Sequence, residues 1–202
     1  MLAVRSITTK SVRFLERIED TRQRIYFANH TSHLDFMLIW SSLPRDVRER
    51  TRPVAGRDYW ERNWFRRYFV RKVFDAVLID RTPANGDSAG GRTADRHARE
   101  AVDQMLAGLG DEHSLILFPE GTRGSGETIG EFRSGLYYVS RERPDVELVP
   151  VRIQGASRVL PKGRIMPRPQ ESELTFGQPM HLEEGEKKAA FIERARSALG
   201  SL

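Results

Sequence analysis

Five short runs of aliphatic and aromatic residues punctuate the chain: Arg24–Asn29, Ala76–Asp80, Ser114–Phe118, Val146–Ile153 and Ser172–Phe176. Each is too short for a buried helix and too apolar for a loop, so each reads as a strand. Between the second and third, Ala94, Ala98, Ala101, Val102, Met105, Leu106 and Leu109 recur at helical spacing, and Gly108 and Gly110 mark the end. Ser32–Leu43, stopped before Pro44, and Glu131–Arg141 and Lys187–Leu199 read as further helices. Strands alternating with helices predict an α/β fold, a central mainly parallel or mixed β-sheet flanked by helices. Pro150, inside Leu148–Val151, restricts its strand to an edge or a bulge.

Two segments fall outside this alternation. Over residues 2–18, Val4, Ile7, Phe14, Leu15 and Ile18 share one face of a 3.6-residue period, with Arg5, Lys10, Arg13 and Arg17 away from it. A basic amphipathic helix is therefore expected within residues 1–24, ahead of a single α/β domain over 25–202. Such a helix either packs on the domain or lies on an anionic membrane. Residues 58–74 mix Tyr59, Trp60, Trp64, Phe65, Tyr68, Phe69 and Phe74 with Arg62, Arg66, Arg67 and Arg71. These aromatics do not make one stripe, so two short helices are expected, packed in the core or set at a membrane interface.

The net charge is +5, from 33 basic and 28 acidic residues. It is uneven: residues 1–81 hold 17 basic and 10 acidic side chains, and the remainder 16 and 18. A basic half suggests an anionic partner. No zinc-finger, KH or RNP pattern points to nucleic acid. The chain has no cysteine, which excludes a thiol nucleophile, a disulfide scaffold and a Cys-based metal site. No run approaches the roughly 18 apolar residues of a membrane span, and basic residues interrupt any secretory leader. A cytoplasmic protein, soluble or peripheral at the membrane, is expected.

Three clusters could carry chemistry. In Asn29-His30-Thr31-Ser32-His33-Leu34-Asp35, directly after a strand, His30 is a candidate general base. A carboxylate can fix its tautomer and stabilise the imidazolium. His30 and Asp35 meet only if His30 lies in the turn and Asp35 in the first helical turn. Ser32 and Asp35 also fit a variant capping box, a purely structural role. Phe118-Pro119-Glu120-Gly121-Thr122-Arg123 follows another strand and offers an acid, a main chain open to a ligand, a hydroxyl and a phosphate-reading Arg. It also reads as an ordinary turn with a surface ion pair. Val77–Asp80 would deliver Arg81 over the carboxyl edge of the sheet.

Taken in order, these blocks resemble those of the PlsC-type glycerolipid acyltransferases, the 1-acyl-sn-glycerol-3-phosphate acyltransferases and their relatives. The family's NHxxxxD block resembles Asn29–Asp35, its arginine-bearing second block Val77–Arg81, its FPEGTR block Phe118–Arg123 at every position, and its VPV block Val149–Val151. The family's second block opens with glycine where this chain has Asp75, and Phe132-Arg133-Ser134-Gly135 stands where a basic F-K-K-G-like stretch is usual. The resemblance implies a glycerol-3-phosphate acyltransferase-like fold. It implies acyl transfer from acyl-CoA or acyl carrier protein to a lysophospholipid hydroxyl, with lysophosphatidic acid as the first acceptor to consider. It also implies His30 as base and Asp35 as its partner. Arg81, Glu120, Gly121 and Arg123 would bind the phosphoglycerol end, with Thr122 supporting that loop. No metal or redox cofactor is implied. Trp60–Phe74 and Phe36–Trp40 become candidates to line an acyl channel. The same chemistry on another acceptor, or a non-catalytic lipid-binding module of the same fold, are the alternatives.

Overall fold

β2 (Arg24–Ala28) and β5 (Ser114–Leu117) are buried at every position, which explains why they read as continuous apolar runs. Around them a computed structural model, which describes residues 9–16, 18, 22–32, 35–61, 63–80, 91–124, 128–155 and 172–202, places five more strands. These are β1 (Thr9–Phe14), β3 (Thr51–Gly56), β4 (Val77–Ile79), β6 (Glu147–Gln154) and β7 (Ser172–Phe176). The order across the sheet is β1-β7-β6-β2-β5-β3-β4. All neighbours are parallel except β6 and β7, so the sheet is mixed.

Alternate residues serve opposite faces. Tyr26 and Ala28 of β2 join one core with Phe36, Leu38 and Ile39 of α1 (Asp35–Ser42), beside α2 (Arg45–Glu49). Ile25 and Phe27 join the other core with side chains of α5 (Gly91–Leu109), α6 (Gly135–Glu142) and α7 (Lys188–Gly200). On α7 the buried residues Phe191, Ala195 and Leu199 keep the i, i+4, i+8 spacing of one helical face. Between β3 and β4, α3 (Arg57–Trp60) and α4 (Trp64–Tyr68) form the two short helices expected, and α4 runs on into a wider π-helical turn over Phe69–Val73. That change of pitch is why the aromatics make no single stripe. Buried Arg24 donates to Glu147 at 2.8 Å across the paired positions of β2 and β6, which fixes their register.

Several expectations need correction. Thr9–Phe14 is not helical: it is an edge strand parallel to β7, with Phe14 stacked on Phe176 at 4.5 Å. Its local period is two, Val12 and Phe14, which the longer helical spacing obscured. Leu15, Glu16 and Ile18 are not helical either, and the rest of the expected helix, residues 2–8 and 17, lies outside the described residues. α6 begins at Gly135 rather than Glu131; the stretch before it is loop, tied down where the Arg133 N–H donates to the Pro119 carbonyl at 2.8 Å. Pro150 sits in an interior strand, between β2 and β7. It is tolerated at an irregularity, the bulge that the sequence also allowed: Gly177 opposite donates its N–H to the Pro150 carbonyl at 2.8 Å, and regular pairing stops at Phe176 and resumes at Met180 with one extra residue on that side. The chain crosses that gap closely, and a Cβ on Gly177 would fall 2.8 Å from Pro150 Cγ. β3, which sequence reading missed, also holds a proline. Its first half pairs with β5 and its second with β4, and Pro53 stands where the partner changes.

Asp75, where the resembling family has glycine, adopts φ 45°. The position requires a left-handed backbone, which glycine adopts without strain and Asp at moderate cost. Here the Asp75 carboxylate also meets Arg52.

Gly108 shows packing overriding propensity. In a helix interior Ala is favoured over Gly by about 1 kcal/mol. A Cβ at Gly108, however, would lie 2.1 Å from Val77 Cγ2 of β4. The overpacking cost of about 1–3 kcal/mol outweighs the propensity gain. Gly108→Ala is therefore expected to lower the urea unfolding midpoint, whereas a raised midpoint would show that β4 moves aside freely.

Candidate active site

β5 enters the sheet between β2 and β3, and the next strand, β6, passes to the far side of β2. The helix after β2 packs on one face and the helix after β5 on the other. Loops leaving neighbouring carboxyl ends for opposite faces open a crevice, and α/β sheets bind ligands there. The loop after β2 carries His30 and the loop after β5 carries Phe118–Arg123.

Asp35 is the first residue of α1 and is wholly buried. His30 is in the preceding turn, so the five-residue separation closes: His30 Nδ1 lies 3.0 Å from Asp35 Oδ2. The same oxygen accepts the Thr31 N–H at 2.6 Å and the Ser32 N–H at 2.8 Å. The second of these reaches back three residues, as a helix-capping carboxylate does, so Asp35 can tie down the start of α1 and hold the imidazole at once. A carboxylate on Nδ1 fixes the proton there and turns the Nε2 lone pair to other work. Phe118 stacks on the imidazole with ring centres 4.3 Å apart. Asn29 exchanges two hydrogen bonds with the Ile153 main chain, at 2.8 and 2.9 Å, and anchors the turn to β6.

Glu120 does something sequence reading missed. It is 8% exposed, and its two oxygens accept the N–H groups of His30, at 2.8 Å, and Gly130, at 3.0 Å. The His30 carbonyl in turn accepts the Gly124 N–H at 2.8 Å. Glu120 thus clamps the turn that carries His30 to its own loop and to the loop before α6. The signal was hidden because its partners are backbone groups, one of them 90 residues away. Gly121 has φ 69°, and a Cβ there would meet the Arg133 side chain at 2.5 Å.

His30 opens onto a cavity of about 320 Å³. One wall is apolar, with Phe36, Trp60 and Val70, and Gly121 and Arg123 stand at another. Thr122 is exposed on the same loop, and Arg81 lies outside the described residues. Beyond Phe118 and Gly121 a second cavity, about 400 Å³, runs along α5 and α6 past Val102, Met105 and Leu136. Among the described residues no three His, Asp or Glu side chains cluster as metal ligands, and no helix is long and apolar enough to cross a membrane.

The Acyltransferase family model matches residues 10–154, a span that includes the His30–Asp35 turn, the Glu120 loop and β6. The chain belongs to the acyltransferase family. The fold of this acyltransferase is similar to the crystal structure of the 1-acyl-sn-glycerophosphate (LPA) acyltransferase, PlsC, from Thermotoga maritima. The TM-score is 0.68 at 20% identity, over 94% of this chain and 70% of that one. No curated protein matches the chain by sequence.

Proposed function

We propose that this acyltransferase moves a fatty acyl group from an acyl thioester to the free hydroxyl of a lysophospholipid, with 1-acyl-sn-glycerol-3-phosphate as acceptor and phosphatidic acid as product. The observation that carries this reading is the buried Asp35 carboxylate on His30 Nδ1, beside a cavity that pairs an apolar wall with Arg123. His30 Nε2 takes the proton of the acceptor hydroxyl as its oxygen attacks the thioester carbonyl. The C–S bond then breaks, and the leaving thiolate of CoA or acyl carrier protein takes that proton back. Asp35 stabilises the imidazolium between the two events. The protein works at the cytoplasmic face of the membrane, where both substrates are found.

Arg123 and Arg81 hold the acceptor phosphate, and Gly121 lets it approach the main chain. Thr122 supports that loop. Glu120 positions the loop rather than touching the phosphate, because both its oxygens already accept N–H groups and its charge would repel the ligand. The Thermotoga maritima protein of similar fold is an LPA acyltransferase, which supports the acceptor class.

The test compares lysophosphatidic acid with monoacylglycerol in wild type and Arg123→Ala. An Arg–phosphate pair stabilises binding by about 1.5–3 kcal/mol, so the substitution is expected to raise the lysophosphatidic acid KM about 10–100-fold with kcat little changed. Equal use of the two acceptors by wild type would overturn a phosphate-bearing acceptor.

A further inference from the structure

Two large side chains face solvent on the segment that walls the His30 cavity. Trp64 is 72% exposed and Tyr68 55%. They stand four residues apart on α4 and so share a face, with exposed Arg67 between them and exposed Lys72 one turn on. The segment is firmly seated on its inner side. Val70 and Phe74 are buried, and Phe74 packs edge-on against Phe36 and Trp40. Core packing therefore accounts for the inner aromatics but not for the exposure of the outer pair, and folding gains nothing by holding an indole in water. Residues 57–73 hold six basic residues against two acidic, and Arg67 and Lys72, exposed beside the aromatic pair, complement an anionic surface. Trp and Tyr beside cations suit the headgroup layer of a bilayer. Trp60, four residues before Trp64, lines the cavity that holds His30.

We propose that the Trp64–Tyr68 face of α4 docks on an anionic bilayer surface and sets the His30 cavity against the leaflet that holds the acceptor. This rests on the lipid acceptor argued above. Phosphate-bearing headgroups attract Arg67 and Lys72 while the indole and phenol rings enter the headgroup layer.

The experiment measures binding of the full chain to vesicles of phosphatidylcholine alone and with phosphatidylglycerol, for wild type and for Trp64→Ala/Tyr68→Ala. Wild type is expected to bind the phosphatidylglycerol vesicles with a blue shift in tryptophan emission, and the double variant to bind about tenfold more weakly or less. Turnover of vesicle-embedded lysophosphatidic acid falls in step, while turnover of a short-chain, monomeric analogue and the thermal midpoint do not change. Equal vesicle binding by variant and wild type would overturn the proposal. So would a wild type that ignores both vesicles and buries Trp64 by self-association or on a protein partner. Absence of turnover on every lysophospholipid, with vesicle binding intact, would instead reject the proposed acceptor and leave the docking face standing.

Discussion

Alanine at position 30 is expected to lower kcat by about 10²–10⁴-fold, the usual contribution of a positioned general base. Acceptor and donor KM should change little, because the proton transfer belongs to the transition state. The fold should survive. His30 is partly exposed and its main-chain bonds to Glu120 and Gly124 do not need the ring. What is lost structurally is the stack on Phe118, about 1 kcal/mol, and the Nδ1 bond to the Asp35 carboxylate, about 1.5–3 kcal/mol, together about 5–15 °C in Tm for a chain of this size. Steady-state kinetics with circular dichroism check both halves. A folded variant that keeps a tenth or more of wild-type kcat would remove His30 from the mechanism.

Asp35 allows chemistry and structure to be separated by two substitutions. Asparagine keeps the shape and can still accept the Thr31 and Ser32 N–H groups and orient the ring, but it cannot balance an imidazolium. Loss of the corresponding carboxylate in a Ser-His-Asp site costs about 10⁴ in kcat, and Asp35→Asn is expected to lose about 10³–10⁴ with little change in Tm. Alanine removes the acceptor altogether and leaves two buried or half-buried N–H groups without it. At about 1–3 kcal/mol per orphaned donor, Asp35→Ala should lose about 2–6 kcal/mol of stability as well as activity. Denaturant titration of both variants distinguishes them. If Asp35→Asn turned over like wild type, the carboxylate would be a helix cap and nothing more.

The layered α/β plan was legible because β2, β5 and β6 are buried on both faces and so spell out unbroken apolar runs. β3 was not legible. Its Pro53 and Gly56 are poor strand formers, tolerated only because the strand changes partners at Pro53, a fact of tertiary pairing. β1 was misread for a related reason: Val12 and Phe14 gain their strand character from β7, more than 150 residues away, and nothing local reveals that partner. In the site, the His30–Asp35 contact was readable because a strand-to-helix turn is the one arrangement that closes a five-residue gap. Glu120 was readable as a residue and not as a role, since its partners are main-chain groups of two other loops.

The most direct test of the account is thiol release from palmitoyl-CoA, followed with and without lysophosphatidic acid, in wild type and His30→Ala side by side, and repeated with palmitoyl–acyl carrier protein. Release is expected to depend on the acceptor, to be matched mole for mole by phosphatidic acid, and to vanish in the variant with at least one donor. Release that proceeds equally without acceptor, or that persists in a folded His30→Ala protein, would contradict it.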